Sequence, residues 1–143
     1  MIASESSNCS IEEKHKMKFL GTGSALPKKV VSNDDLAQVM DTSDEWIRSR
    51  TGIGMRHIAV EETTTSMAVE AAEKALADAK ISGCEIDLII AGTISPDYIF
   101  PSLACEVQAA IGAKSATAFD LSAGCSGFLF ALATACLLYT SDA

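Results

Sequence analysis

Ala116-Thr-Ala-Phe-Asp-Leu-Ser-Ala-Gly-Cys125-Ser-Gly-Phe-Leu-Phe130 is the stretch on which the reading of this chain turns. A short apolar run reaches Leu121, gives way to Ser122, Ala123 and Gly124, presents Cys125, and continues as a nearly all-apolar segment. That order predicts a strand over Thr117 to Leu121, a tight turn, and a helix with the cysteine in its first turn. Unpaired backbone N–H groups converge at a helix start and favour thiolate, the reactive form of cysteine. A strained strand-to-helix turn is also how a nucleophile elbow presents its attacking atom. A second reading fits the same residues, because a free cysteine among small neighbours is commonly a buried, inert core group. The residues alone leave both open, with the buried reading the commoner case.

Upstream of this stretch the pattern alternates. Leu103 to Ile111 reads as a helix capped by Ser102 and stopped by Gly112, with Cys105 as a packing residue, and Ile94 to Pro101 reads as a loop. Ile86 to Thr93 is a strongly apolar strand of the kind buried on both faces, with Cys84 a filler at its approach. Before it, a helix capped within Thr63–Ser66 runs to Ala79. Met67, Ala68, Ala71, Ala72, Ala75, Leu76 and Ala79 form a stripe on it that permits close packing, and Glu70 pairs with Lys74.

Ile53 to Val60 reads as extended, and His57 on it has no partner at ligand spacing. Thr42-Ser-Asp-Glu45 has the form of a capping box, with Thr42 as the cap of a helix that ends at Gly52. Trp46 and Arg50 share a face of that helix. An aromatic plate beside a guanidinium suits an adenine and a phosphate, and equally suits plain packing. Ser32 or Asn33 caps a short helix through Met40, with Asp34 and Asp35 in its first turn. Met17 and Phe19 read as a strand running into Gly21-Thr-Gly23, a tight exit rather than a dinucleotide loop, since the third glycine and the immediate helix are missing. Residues 1–15, with Cys9 and His15, read as a polar leader without fixed structure. Strands alternating with helices predict an α/β layered protein.

Composition narrows the function classes. The 143 residues carry a formal charge of −8, which disfavours nucleic acid or an anionic membrane as the main partner. A 48% hydrophobic content supports a real core. Five cysteines form no CxxC and no zinc spacing, and their odd number suits a reducing compartment. No signal peptide or membrane span is legible, which makes a cytoplasmic protein without a metal the default expectation.

Several motifs together resemble a known family. They are Phe19-Leu-Gly-Thr-Gly-Ser-Ala-Leu-Pro27, Asp41-Thr-Ser-Asp-Glu-Trp-Ile47, Arg50-Thr-Gly-Ile53, Arg56-His57, Phe100-Pro-Ser102 and Asp120-Leu-Ser-Ala-Gly-Cys-Ser-Gly-Phe128. In this order and spacing, over residues 16–136, they are similar to the N-terminal portion of β-ketoacyl-acyl-carrier-protein synthase III, a condensing enzyme of the thiolase fold. The Asp-Glu-Trp-Ile and Arg-Thr-Gly motifs separate this subgroup from the elongating synthases.

The resemblance implies the N-terminal half of a thiolase-like layered α-β-α-β-α fold, truncated after the nucleophile helix, with residues 137–143 an atypical tail that does not continue the family's helix, glycine turn and next strand. It implies acyl transfer from acetyl-CoA or another short acyl-CoA to Cys125, then decarboxylative condensation with malonyl carried on acyl carrier protein. Coenzyme A thioester is then a substrate, no cofactor is permanently bound, and the working protein is a homodimer. Trp46 corresponds to the residue stacking on the CoA adenine, Thr51 to a neighbour of that nucleotide, and Arg50 to a phosphate contact. Phe100 corresponds to an aromatic that reaches toward the dimer partner's acyl pocket and limits its depth. The family's catalytic His and Asn lie beyond the part that matches, and neither His15 nor His57 stands at that position. The implied alternatives are a starter condensing enzyme with another primer in polyketide or secondary lipid synthesis, and a non-catalytic fragment acting only by dimerisation.

Overall fold

The computed structural model describes residues 18–140. The leader over 1–15, with Cys9 and His15, lies outside the described residues. Two small sheets organise the chain. In the first, β1 (Lys29–Ser32) pairs antiparallel with β2 (Met55–Ile58), Lys29 opposite Ile58 and Ser32 opposite Met55. Between them lie α1 (Asn33–Ala37) and α2 (Asp44–Thr51). In the second, β3 (Leu88–Gly92) and β4 (Thr117–Leu121) run parallel, with Leu88 opposite Thr117 and Gly92 opposite Leu121. Parallel neighbours need a crossover, and α4 (Leu103–Ile111) supplies it. The long helix α3 (Thr64–Ala79) packs on α4, and α5 (Gly127–Thr140) packs on β3 and β4. The expected α/β layering is present.

Most helix ends follow their local signals. Thr63 caps α3 through Ser66 N–H, Ser102 caps α4 through Cys105 N–H, and α2 and α4 end on left-handed Gly52 and Gly112. Among the described residues, the buried apolar side chains are Leu103, Ala104 and Val107 of α4 with Ala113 and Ala116 behind it. The core therefore sits where α4 meets the parallel strands.

Three expectations are corrected. The cap of α2 is Ser43, whose side chain accepts from Trp46 N–H at 3.1 Å. A cap at Ser43 puts Trp46 at the third helical position, so Glu45 cannot close a box from Thr42. The first helix ends at Ala37, where the chain tightens into a turn as Val39 and Met40 N–H both donate to Leu36 O. The apolar strand of 86–93 contracts to β3, because Gly83–Glu85 form a 3-10 turn; its Leu88–Ala91 are half-buried rather than covered on both faces. Apart from these, α5 runs through Thr140, so residues 137–140 are helical.

The strand expected around Phe19 is not formed by residues 18–20. The segment after them lies instead against α3. A Cβ at Gly21 would stand 2.5 Å from both Ala75 O and Ala79 N, and one at Gly23 would meet Ala71 and Ala75 backbone. Thr22 N–H donates to Asp78 Oδ2 at 2.9 Å, and Lys74 Nζ donates to Ser24 O at 2.9 Å. The alanine stripe of α3 thus serves a backbone-to-helix approach that only glycine allows.

Candidate functional site: a cysteine turn, an apolar tip and an aromatic helix

Cys125 is exposed in a 3-10 turn, Gly124–Ser126, between β4 and α5. Gly124 takes a left-handed conformation (φ +51°), which turns the chain from strand to helix within three residues. The helix that follows starts at buried Gly127, pressed against the end of β3. A Cβ on Gly92 would lie 3.0 Å from Gly127 C. This glycine pair sets the start of α5, and so the turn that carries Cys125, against the C-terminal end of the parallel strands. Ligands gather at that end of open α/β sheets. Within the described residues the Cys125 thiol is exposed in this turn rather than packed in a core.

Phe100 sits in the loop joining β3 to α4 and is 89% exposed, beside Ile99 at 99%. Both ends of this loop are held by carboxylates that the residue pattern did not mark. Asp97 accepts Thr64 N–H at 3.0 Å and Thr65 N–H at 2.7 Å, at the start of α3. Those hydrogen bonds, Thr65 first, hold its carboxyl down to about 2. Beyond the loop, Asp120 on β4 accepts Leu103 N–H at 2.9 Å and Ala104 N–H at 2.8 Å, at the start of α4. Asp120 belongs to the same strand that leads to Cys125.

Trp46, Arg50 and Thr51 lie on α2. The Arg50 guanidinium carbon stands 5.9 Å from the Trp46 ring centre, so the face-sharing expectation is met, and Trp46 is 58% exposed. Thr51 Oγ1 donates to Ile47 O at 2.7 Å and accepts Ile53 N–H at 3.1 Å, tying the helix end to the next segment. What fixes α2 is Asn33, fully buried at 1% exposure. Its Nδ2 donates to Asp44 Oδ1 at 2.7 Å and to Ile53 O at 2.8 Å, and its Oδ1 accepts from Arg56. The Asn33 bond and then Arg48, 2.8 Å away, lower the carboxyl of Asp44 below its usual range. Sequence reading treated Asn33 only as a possible cap; its true partners lie 11 to 23 positions away.

Trp46 and Arg50 are therefore brought into direct contact, while Cys125 and Phe100 are presented from the parallel sheet. His57 Nδ1 on β2 is 2.5 Å from Pro27 O, just before β1, a structural contact within the antiparallel pair. A groove of about 360 Å³ lined by Lys28, Lys29, Val60, Glu61, Glu62 and Ser66 includes none of the predicted side chains. Among the described residues, no three His, Cys, Asp or Glu side chains stand together to hold a metal ion, and no helix is long and apolar enough to cross a membrane.

Comparison with known proteins identifies the relatives. A β-ketoacyl-acyl-carrier-protein synthase III of Streptococcus suis is 63% identical over 110 residues, 77% of this chain. The chain is homologous to an N-terminal portion of β-ketoacyl-acyl-carrier-protein synthase III. It spans 34% of that relative's length. The solved synthase III of Aquifex aeolicus superposes with a TM-score of 0.79 at 56% identity, over 81% of this chain and 38% of that one. The priming β-ketosynthase of the R1128 polyketide biosynthetic pathway superposes with a TM-score of 0.83 at 37% identity, over 92% of this chain and 40% of that one. No family model matches the chain. The fold of the described residues is thus the thiolase-like α/β arrangement of the synthase III structures.

Proposed function

We propose that this chain is the acyl-accepting part of a synthase III that starts fatty-acid synthesis. In the first step the Cys125 sulfur attacks the thioester carbonyl of acetyl-CoA or another short acyl-CoA, and the CoA thiol leaves with the proton. In the second, malonyl on acyl carrier protein loses CO₂, and the resulting carbanion attacks the Cys125 thioester and releases the thiolate. Decarboxylation generates the carbanion without a strong base, provided donors stabilise its enolate oxygen. Trp46 stacks on the CoA adenine, with Thr51 beside the nucleotide and Arg50 on its phosphates, and Phe100 closes a dimer partner's acyl pocket. The observation that carries the reading is exposed Cys125 in the strand-to-helix turn of a chain that is 63% identical to a synthase III over 110 residues.

The second half-reaction needs the family's His and Asn, which the matched portion does not contain. The character of α5 bears on what surrounds this part of the synthase. Phe128, Leu129, Phe130, Leu137, Leu138 and Tyr139 are all exposed on it. A helix apolar on all sides is built to be surrounded by protein. In the working synthase, further protein covers α5.

The test is acyl uptake in the full-length synthase carrying this chain, read by mass spectrometry after exposure to acetyl-CoA. Cys125→Ser abolishes the acyl adduct, because a hydroxyl lacks an accessible anionic form. An undiminished adduct in that variant overturns the assignment. The similarity to the R1128 priming ketosynthase supports a second reading, a polyketide starter with another primer. A panel of acyl-CoAs separates the two: preference for acetyl-CoA favours the fatty-acid starter, and preference for a longer or branched primer favours the other.

A further inference from the structure

The loop between β3 and α4 presents three consecutive apolar side chains to solvent, Tyr98 at 60%, Ile99 at 99% and Phe100 at 89% exposure. Exposed apolar tips are ordinarily loose, because few contacts hold them. This one is fastened on both sides. Before the tip, Asp97 takes the first two amides of α3, Thr64 and Thr65, at 3.0 and 2.7 Å, and Thr64 Oγ1 donates to Ser95 O at 3.2 Å. After the tip, Asp120 takes the first two amides of α4, Leu103 and Ala104, at 2.9 and 2.8 Å. The helices are joined to each other by Thr65 Oγ1, which donates to Glu106 Oε2 at 2.5 Å. Each carboxylate satisfies two helix-start amides that have no partner within their own helix, and charged acceptors make the stronger hydrogen bonds. Asp97, held down to about 2, stays ionised throughout the physiological range.

We propose that Asp97 and Asp120 are positioning residues for Phe100, two carboxylate clamps that fix how far the Tyr98–Phe100 tip reaches and so set which acyl chain length is accepted. This rests on the assignment of Phe100 to an acyl pocket. Asp120 adds a link that Asp97 lacks. It lies on the strand running into the Cys125 turn, so one side chain ties the depth gauge to the nucleophile's own strand.

The test has two readouts. Hydrogen exchange on the 143-residue chain compares wild type with Asp97→Asn and Asp120→Asn; each amide substitution keeps the size but sets an NH₂ group against backbone N–H donors. Exchange should quicken at Thr64 and Thr65 in the first variant and at Leu103 and Ala104 in the second, while the middle of α3 stays protected. In the full-length synthase, Cys125 uptake from hexanoyl-CoA relative to acetyl-CoA should rise by about tenfold, the discrimination a hydrophobic pocket makes over a methylene. Iodoacetamide alkylation of Cys125 should proceed at the wild-type rate. Unchanged exchange at Thr64 and Thr65 in the first variant, or at Leu103 and Ala104 in the second, overturns the clamp. Quickened exchange with an unchanged chain-length ratio overturns the positioning role. Wild-type protein that is alkylated at Cys125 yet takes no acyl group overturns the acyl-acceptor reading, and the selectivity role with it; the exchange data still decide the clamp.

Discussion

Replacing Asn33 by Ala should detach the helix that carries Trp46 and Arg50. Asn33 is 1% exposed, and its side chain makes three hydrogen bonds, to Asp44, to Ile53 O and from Arg56. A neutral bond contributes about 1 kcal/mol net and one to a charged partner about 1.5–3 kcal/mol. Asp44 and Arg56 are only half-buried and regain water when Asn33 is lost, so the low end of the charged range applies. The expected loss is about 3–4 kcal/mol of stability. With a urea dependence of about 2 kcal/mol per molar, the midpoint falls by about 1.5–2 M. The chain contains one tryptophan, Trp46 on α2, so its fluorescence reports this region while far-UV circular dichroism reports the whole. In the variant the fluorescence transition should precede the dichroism transition. The Asp44 carboxyl, lowered first by its Asn33 bond, should titrate closer to its ordinary value by NMR. A midpoint shift below about 0.5 M with coincident transitions and an unaltered slope would refute the claim that Asn33 holds α2 in place.

Other perturbations test the frame around the cysteine. Gly92→Ala places a Cβ 3.0 Å from Gly127 C, with backbone rather than a flexible side chain in the way. Overpacking of this kind costs about 1–3 kcal/mol, and it should also change the rate of Cys125 alkylation by displacing the start of α5. Lys80, with φ +59°, closes α3 in a left-handed conformation that costs a side-chain-bearing residue about 1 kcal/mol, so Lys80→Gly should leave the chain as stable or slightly more so in urea melts. Acid should destabilise the fold in a defined window. Glu62 and Asp97 are both held at about 2, Glu62 chiefly by Lys28 and Val60 N–H and Asp97 by Thr65 N–H. Because the folded values lie below the unfolded ones, their contribution is complete above about pH 4–4.5 and is lost as pH falls toward about 2. Asp97→Asn should therefore flatten the acid limb of a stability-against-pH curve, and an unchanged limb would show that the Thr64 and Thr65 bonds do not persist in solution.

What could be read from the residues was local. The cap at Ser102 and the stop at Gly112 bound α4 at the places their side chains and left-handed geometry require. The strand Thr117–Leu121 begins and ends where the apolar run does, and the small residues before Cys125 turn the chain as expected. Each of these signals acts within about one helical turn, so the sequence neighbourhood contains the whole cause. The capping of α2 shows the limit of that method. Thr42 and Ser43 are adjacent hydroxyl residues, and which of them caps depends on how the chain enters from α1.

The tertiary structure alone decided what reaches across the chain. Asp120 grips amides 16 and 17 positions earlier, and Thr22 N–H finds Asp78 at 56 positions' distance. The expected first strand gives way to a glycine segment laid on α3, because the Ala71, Ala75 and Ala79 ridge admits a bare backbone there. Asn33 looks like a cap by residue type and becomes the buried hub of α1, α2 and β2 because three partners converge on it from different elements. Sequence by itself therefore determined the kinship and the boundaries that local caps and turns set, and it singled out Cys125 as the candidate nucleophile. Exposure of Cys125, the clamped apolar tip and the anchoring of the Trp46 helix followed from long-range packing, which brings together hydrogen-bonding groups that no local pattern links.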